Sequence, residues 1–500
     1  MSKEAENKLI KSILDENVRF FCDKDNPLEV YVEYPERDGS PATVPVRSQM
    51  FRAFLGYQYM IESGEDAPPD FEPIIQGKIC ETQYLRENMI EKLRRVTGSL
   101  TDGKIAYFLA DDQWTTLFIK ETGWKVGKSK KVKLTKSPLD AEQVMPVPDG
   151  DLLGLLRRYV NMDDEDFFLF TVYVVQAFSR TSSHFAAIIS SEKGTGKSTL
   201  TKLLRDLIDP SKAGVPLMPS NDGDLKTYLA DSYVVCFDNT AVLSTKFSNI
   251  LCAAITGSKA AKRKLYTDCD HIILNLHNMV VINGIDIVPY QSDLAERSLL
   301  FELRKISEEK RITDATFWAA FKKDRPMILG AILDTLVKAI NILPNLQTKS
   351  LHRMADANLE MIAIAVALGK TEQEFQEILN RNNQKLQESY AENNAFVNAI
   401  VDFVRKRGNQ DAPASKVYEQ LRGTKARDLK DFPNSASALS KRLNREKDAL
   451  EQMGIRFSKH KQNDYNYISL SRIPQNQQTK SQRAAVERRA RLMEDASTED

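Results

Sequence analysis

The chain has few cysteines, almost no excess of charge of either sign and no long apolar runs. Its 500 residues include 5 cysteines, which are far apart and form no Cys-x-x-Cys or Cys/His pair, so neither a zinc site nor a disulfide framework is expected. The formal net charge is +1, from 70 Lys and Arg against 69 Asp and Glu, which gives no global basic surface for nucleic acid.

The longest apolar run that the sequence shows, residues 167–178, is too short for a bilayer-spanning helix, which needs ~20 residues. The mixed-charge N-terminus lacks the apolar stretch of a secretory signal. We therefore expect a soluble, intracellular protein with no membrane association.

The length predicts several domains, because single hydrophobic cores stop growing near ~250–300 residues. The composition, 42% hydrophobic and 28% charged, excludes disorder as the main theme. Changes in pattern along the chain predict an α+β domain at 1–148, an α/β domain at 149–345, a helical lid or linker at 346–390, a small domain at 391–472 and, at 473–500, a disordered tail or a frayed helix.

Three apolar runs separated by helical stretches define the predicted α/β domain. They are Phe185–Ile189, Tyr233–Phe237 and Met279–Ile282. Short apolar strands that alternate with helices are typical of a parallel sheet buried on both faces.

A glycine-rich loop with a lysine follows the first of these runs. The segment Ser191-Glu-Lys-Gly-Thr-Gly-Lys-Ser198 matches a phosphate-binding loop, except that Ser191 stands where a glycine is usual. Such a loop binds phosphate with its backbone N–H groups and the helix N-terminus, so ATP and Mg²⁺ are the expected cofactors. Lys197 would reach the β- and γ-phosphates and Ser198 would hold Mg²⁺; the alternative is a turn that only caps a helix. The candidate nucleotide-binding residues are Ser191, Lys193, Gly194, Thr195, Gly196, Lys197, Ser198 and Thr199.

Polar residues follow the other two runs, where ligands bind in open α/β sheets. Asp238 would hold Mg²⁺ together with Ser198, unless it only caps a turn. Asn239 stands where many ATPases with such a phosphate-binding loop have a glutamate that orients the attacking water. In this chain Glu192 could supply the base instead, or Asn239 could only position the water. Asn283, after the third run, could contact the γ-phosphate or that water.

Arg297 completes the set of candidate catalytic residues. It lies in Asp293-Leu-Ala-Glu-Arg-Ser298, where it could reach the nucleotide of a neighbouring subunit and stabilise charge in phosphoryl transfer. The alternative is a helix-surface salt bridge to Asp293 at the i,i+4 spacing.

Two basic clusters could contact DNA. The first is Lys259, Lys262, Arg263 and Lys264, before an expected hairpin around residues 268–270; a solvated face or a subunit contact is the alternative. The second lies at residues 391–472, where three helices and two strands follow the winged-helix order. Residues 441–461 hold seven Lys and Arg against three acids, a local net charge of +4, and the candidate DNA contacts are Lys441, Arg442, Arg445 and Lys459. A protein-contact role for this module stays open.

These elements resemble AAA+ replicative helicases of phages and mobile elements, which are related to superfamily 3 and minichromosome-maintenance-like helicases. The resemblance extends to Leu265-Tyr-Thr-Asp268, Val281-Ile-Asn-Gly-Ile285 and His352-Arg-Met-Ala-Asp356, and it covers residues 115–390 well. The chain looks like a phage primase-helicase ATPase without the primase domain.

The resemblance implies an ATP-dependent DNA helicase or translocase of DNA replication, with a three-layer P-loop AAA+ core. It implies a homo-oligomeric ring, which we expect to have six members, with ATP hydrolysed at subunit interfaces and single-stranded or forked DNA and other replication proteins as partners. It also implies a location in the cytoplasm of a prokaryotic or phage-infected cell. Residues 1–148 would then serve for oligomerisation or as a DNA collar. The alternative is a nucleotide-gated DNA-binding assembly or loader ATPase without unwinding activity.

Overall fold

The structure is a computed structural model. It describes the chain except residues 1, 25, 87–88, 91–94, 129–133, 138, 182, 193, 241–242, 264–270, 285–291, 349–352, 430–431, 463 and 499–500, and it describes the backbone alone at residues 90, 262–263, 271–272, 292, 310, 480 and 491–498.

The helices and strands alternate along most of the chain. The helices are α1 Lys3–Asn17, α2 Gln49–Ser63, α3 Glu72–Leu85, α4 Leu152–Arg157, α5 Asp164–Gln176, α6 Lys197–Ile208, α7 Asp222–Asp231, α8 Thr245–Ile255, α9 Ser292–Ala295, α10 Asp314–Ile342, α11 Ala355–Ala367, α12 Glu372–Asn393, α13 Ala395–Arg407, α14 Ala414–Arg422, α15 Ala436–Arg445, α16 Lys447–Gln452 and α17 Lys480–Thr498. The strands are β1 Arg19–Asp23, β2 Val30–Pro35, β3 Pro41–Pro45, β4 Met89–Ile90, β5 Val96–Thr97, β6 Lys104–Phe108, β7 Thr115–Lys120, β8 Gly123–Lys128, β9 Ala186–Ser190, β10 Val234–Phe237, β11 Ser258–Arg263, β12 His271–Leu276, β13 Met279–Gly284, β14 Ser298–Glu302, β15 Gln410–Pro413, β16 Ile455–Gln462 and β17 Tyr465–Arg472.

Side-chain caps explain where several of these helices begin. The Asp163 carboxylate accepts a hydrogen bond from Asp166 N at the start of α5, and Ser244 does the same for Phe247 N at α8. Thr371 and Glu374 form a reciprocal capping box at α12. Each cap satisfies a backbone N–H that has no partner inside its helix.

A parallel sheet with strand order β10-β13-β9-β14 lies at the centre of the chain. The helix α6 packs against β9, β10 and β13, while α5 and α12 pack against β14. Because helices cover the sheet, β10 and β13 are buried along their whole length. The predicted mixed α/β class with a parallel sheet is thereby confirmed.

The N-terminal part of the chain contains a sheet of order β3-β2-β1-β4 and an antiparallel sheet of order β5-β6-β7-β8. The second sheet ends at Lys128, before the predicted boundary near residue 148, but it also contributes side chains to the core of the parallel sheet. Alternate residues of β6 serve two cores: Ile105 and Tyr107 belong to the cluster that contains β9, whereas Phe108 packs with the N-terminal cluster. The two-residue side-chain period of a strand makes this sharing possible.

The C-terminal unit has α13, α14 and α15 beside an antiparallel sheet of order β15-β17-β16. The sequence pattern predicts one helix over residues 435–452, the third of the three helices expected here, whereas the structure breaks it at Glu446 into α15 and α16. The buried Glu446 carboxylate accepts hydrogen bonds from Tyr390 Oη at 2.6 Å and Asn394 Nδ2 at 3.1 Å. These partners are distant in sequence, so the helical periodicity of the segment does not reveal the break.

The C-terminal tail contains a helix, α17, that is partly packed. Ala485 of α17 is buried, and the Arg405 guanidinium donates to the Val486 carbonyl at 2.7 Å. Arg489 forms an ion pair with Asp402 at 2.7 Å. These turns of α17 cover apolar surface on the preceding unit, which composition alone does not show.

One helical stretch, Asp314–Asn345, is long and apolar enough to cross a membrane by length and composition. Of its most apolar window, 56% is buried inside the structure. That burial is what a core helix of a folded domain shows, so the stretch is weak support for membrane insertion.

A buried ion network joins the N-terminal sheets to the parallel sheet. The Asp209 carboxylate, at the end of α6, pairs with Arg95 at 3.0 Å and with Arg205 at 3.2 Å. It also accepts hydrogen bonds from the backbone N–H groups of Tyr233 and Val234, where β10 begins. Burial alone would raise the pKa of Asp209, but the charges of Arg205 and Arg95 outweigh it and lower that pKa.

Replacing Asp209 with alanine is expected to lower the free energy of unfolding by about 3–5 kcal/mol, because it leaves two buried guanidinium groups without their carboxylate. Urea unfolding followed by circular dichroism measures this. Asp112→Ala is the control: its side chain is 90% exposed and pairs with Lys136, so a loss below about 1 kcal/mol is expected. Equal losses for the two variants would contradict this view of the network.

Glu360 of α11 is a fully buried carboxyl group facing the N-terminal sheets. Its Oε1 lies 3.4 Å from Thr101 N, and its Oε2 has no hydrogen-bond partner among the described residues. Burial raises the pKa of Glu360 to about 7, so the carboxyl is protonated in the native protein at mildly acidic pH.

The stability of the protein should therefore fall as the pH rises from ~4.5 to ~7, since the unfolded chain releases this proton while the native protein retains it. The contribution is about 3 kcal/mol, present below the unfolded pKa and lost above the folded one. The glutamine of Glu360→Gln does not titrate. The free energy of unfolding of this variant relative to the wild type, measured in urea, should therefore increase as the pH rises from ~4.5 to ~7. A difference that does not change with pH would refute the assignment.

Candidate functional site

Two glycines shape the loop between β9 and α6. Gly194 and Gly196 have φ values of 77° and 91°, in the left-handed region where glycine carries no steric cost. Gly196 is the N-cap of α6 and provides no side chain, so the first N–H groups of the helix face the loop. This geometry suits an anionic ligand such as a phosphate group. Lys193 lies outside the described residues.

Ser191, the residue in place of the usual glycine, stabilises the loop. Its hydroxyl hydrogen-bonds with the hydroxyl of Thr195, which also donates to the Glu192 carbonyl at 3.1 Å. Thr195 is buried and Ser191 half-buried. The serine therefore closes the loop with a side-chain contact that glycine could not make.

Lys197 and Ser198 point toward the mouth of the loop. The Lys197 ammonium donates to the carbonyl oxygens of Ser191 and Glu192. The Ser198 hydroxyl donates to Asp238 Oδ1 at 3.0 Å, which brings the two predicted Mg²⁺ ligands together. Hydroxyl and carboxylate oxygens are ligands that Mg²⁺ accepts, so this pair fits the ion. Thr199 is half-buried in the first turn of α6.

Asn283, at the carboxyl end of β13, links α6 to the loop after β10. Its side-chain nitrogen donates to Thr201 Oγ1 at 2.7 Å, and its side-chain oxygen accepts from Asn239 N at 2.9 Å. The residue is 1% exposed. Because both ends of the amide are engaged, Asn283 positions other groups in this structure rather than facing a ligand.

Asn239 has a backbone conformation that accounts for its identity. Its φ of 51° lies in the left-handed region, which asparagine tolerates far better than most residues. Its side chain is exposed next to Asp238, and Glu192 is exposed on the loop opposite. Both side chains are therefore open to solvent.

Arg297 lies at the other edge of the sheet from the loop. Its carbonyl accepts from Ala186 N at the amino end of β9, about 15 Å from the loop at ~3.3 Å per strand residue. The guanidinium pairs with the Asp293 carboxylate and donates to the Asp293 carbonyl at 2.8 Å. The predicted salt bridge is therefore present, and Arg297 does not reach the nucleotide site of its own chain.

The first basic cluster lies on a hairpin of β11 and β12, whose register pairs Arg263 with His271. The hairpin is longer than predicted, and Lys264 and the tip fall outside the described residues. Lys259 is exposed, while Lys262 and Arg263 lie in β11. On β12, the side chain of Asn26 hydrogen-bonds with both backbone groups of Ile273, a contact that the sequence did not suggest.

The second basic cluster is only partly open to a ligand. Lys441, Arg445 and Lys459 are exposed. The Arg442 guanidinium instead lies 4.3 Å above the Phe396 ring on α13, in a cation–π contact. The prediction of Arg442 as a DNA contact is not supported by this placement.

Thr201 is the site residue that sequence reasoning missed. It is fully buried, donates to the Lys197 carbonyl at 2.9 Å and accepts from Asn283. The one available signal was its position, a single helical turn after Lys197.

Two family models match the chain. One is described as an actinomycete integrative conjugative element replication protein and matches residues 151–373, and the other, the C-terminal domain of the same replication protein, matches residues 396–485. No curated protein matches the chain.

Solved structures of the NrS-1 C-terminal region in its apo form are similar to the chain. One has 10% identity and a TM-score of 0.40, with 93% of this chain and 98% of that chain covered. A second has 12% identity and a TM-score of 0.35, covering 94% and 100%. Scores below 0.5 support no inference about function.

Replacing Thr201 with valine should lower the free energy of unfolding by about 1–3 kcal/mol, because the buried Asn283 side-chain nitrogen loses its acceptor. Thr335→Val on α10 is the matched control, since that buried hydroxyl donates to the Ala331 carbonyl of its own helix. Thermal unfolding followed by circular dichroism compares the two. A larger loss for Thr335→Val would contradict the role assigned to Asn283.

Proposed function

We propose that this chain, a replication-related protein of a mobile element by its match to the replication proteins of actinomycete integrative conjugative elements, is an ATP-dependent DNA helicase or translocase. The observation that carries the proposal is the contact between Ser198 and Asp238 at the mouth of the glycine-rich loop. Both would hold Mg²⁺ there, and the ion would neutralise charge on the phosphates of ATP. Lys197 and the N–H groups of α6 would bind the same phosphates.

The order of the parallel sheet supports an AAA+ core. The strand leading to the loop lies between β13, which carries Asn283 next to its last residue, and β14, which Arg297 precedes. The loop strand, the Asp238 strand and the Asn283 strand thus present their polar ends at one edge. In this proposal Asn283 senses nucleotide indirectly, by fixing the Asp238–Asn239 turn relative to α6.

The position of Arg297 supports catalysis between subunits. The arginine is at the edge opposite its own loop, so a nucleotide that it contacts belongs to a neighbouring copy in a ring, for which we propose six subunits. Its ion pair with Asp293 would open or rearrange when the neighbour's phosphates approach. An arginine supplied in this way stabilises charge in phosphoryl transfer.

The placement of the hairpin supports coupling of nucleotide to DNA. The strand β12 leads through residues 277–278 directly into β13, which carries Asn283. A change at the proposed nucleotide site would therefore reach the hairpin through the short connection between β12 and β13. On the hairpin, Lys259 is exposed and would contact a DNA backbone. The three helices and antiparallel sheet of the C-terminal unit support a winged-helix DNA-binding domain.

Lys197→Ala should reduce ATP hydrolysis by at least about 100-fold and abolish unwinding of a forked substrate, because the phosphates lose a charged donor. Lys202→Ala, an exposed lysine on the same helix, should retain both activities. Steady-state phosphate release with and without single-stranded DNA, and strand displacement, measure these outcomes. A wild-type protein whose ATP hydrolysis does not respond to DNA would exclude the motor.

The alternative function is a nucleotide-gated assembly or loader ATPase that binds DNA without unwinding it. It is favoured by Asn239, which lacks the carboxylate that a fast water-activating base would supply. ATP-dependent assembly on DNA without strand displacement would identify this function.

A further inference from the structure

A groove in the C-terminal unit separates the first turns of α15 from the β16–β17 hairpin. It has a volume of about 660 Å³, and its walls include Ser437, Ser440 and Lys441 on the helix and Lys459, Lys461 and Tyr465 on the hairpin. The walls also take in the start of α14 at residues 413–415. Neither Arg442 nor Arg445 lines it.

The groove is positively charged. Lys441, Lys459 and Lys461 are exposed, and no acidic residue is among the described residues that line the groove. The nearby carboxylate of Asp411 lies 3.7 Å from His460 Nε2. Three lysines converging from a helix and a hairpin can neutralise successive phosphates of a polyanion.

An exposed aromatic ring lies at the rim. Tyr465 begins β17 and is 64% exposed, whereas Tyr467 stacks on His460 with ring centroids 5.2 Å apart. Large exposed aromatic rings beside basic grooves are typical of proteins that bind single strands, because an unpaired base can stack on the ring.

The geometry disfavours docking of α15 into a duplex on this side. A recognition helix needs its outward face free to enter a major groove about 12 Å wide. In this structure the β16–β17 hairpin faces Ser437, Ser440 and Lys441 across the protein groove, and these residues lie on the outward face of α15. Arg442, which a major-groove contact would use, lies against Phe396.

We propose that this groove binds single-stranded DNA, with phosphates on Lys441, Lys459 and Lys461 and a base stacked on Tyr465. The identity of the ligand as DNA rests on the proposed function. The mode of binding is inferred from the groove in the protein. It differs from the insertion of a helix into the major groove of a duplex, which is expected of a winged helix.

Fluorescence anisotropy with a labelled oligothymidine and the full-length protein, without ATP, tests the proposal. Tyr465→Ala should weaken binding about fivefold or more, while Tyr465→Phe, which keeps the ring, should stay near the wild type. The double variant Lys441→Ala/Lys461→Ala should reduce the slope of log Kd against log salt by about 1.4, at ~0.7 for each phosphate contact on a single strand. Lys416→Ala removes one exposed lysine of α14 outside the groove; it is the control for the loss of a surface charge and should leave the slope unchanged.

Two outcomes would overturn the proposal. One is that Tyr465→Ala and the double lysine variant bind oligothymidine as the wild type does. The other is tighter binding of a duplex of equal length that weakens with Arg445→Ala, because helix docking would then be the mode. If the wild type binds neither single-stranded nor duplex DNA, the proposed function itself fails. This outcome differs from the two that overturn only the proposal for the groove.

Discussion

The rest of the structure depends on the buried carboxylate of Asp209, which connects Arg95, the helix α6 and the start of β10. It accepts hydrogen bonds at the start of β10 and ion pairs from Arg95 and Arg205, so it fixes the end of α6 against both the parallel sheet and the N-terminal sheets. The glycine-rich loop is at the other end of the same helix. Because a helix of this length is rigid, the network determines where the loop lies relative to Asp238.

The candidate site is held by uncharged hydrogen bonds as well as by the expected charged residues. Asn283 connects Thr201 on α6 with the backbone of Asn239, and Asn239 takes a left-handed conformation next to Asp238. The asparagine at that position therefore has a structural reason, independent of whether it helps to activate water. The same arrangement explains how a change on α6 would be transmitted to β13 and then to the hairpin.

The distribution of charge is more informative than its sum. A net charge of +1 describes a chain in which three exposed lysines converge in one groove of the C-terminal unit, while several arginines pair internally. Arg442 lies on Phe396, Arg297 pairs with Asp293, and Arg95 and Arg205 are buried with Asp209. The charge count along α15 did not distinguish these roles, because an exposed cation and a stacked one look alike in sequence.

The sequence by itself determined the parallel sheet, the loop between β9 and α6 and the polar residues at the ends of β10 and β13. Each depends on short-range patterns: apolar runs of strand length, glycines that permit positive φ, and a side chain that directly follows a strand. Only the tertiary structure decided that the β6–β7 sheet serves two cores, that Glu446 breaks a helix, that α17 packs and that Asn283 faces Thr201. In each case the partner is tens to hundreds of residues away, so folding brings together groups whose contact no local pattern encodes.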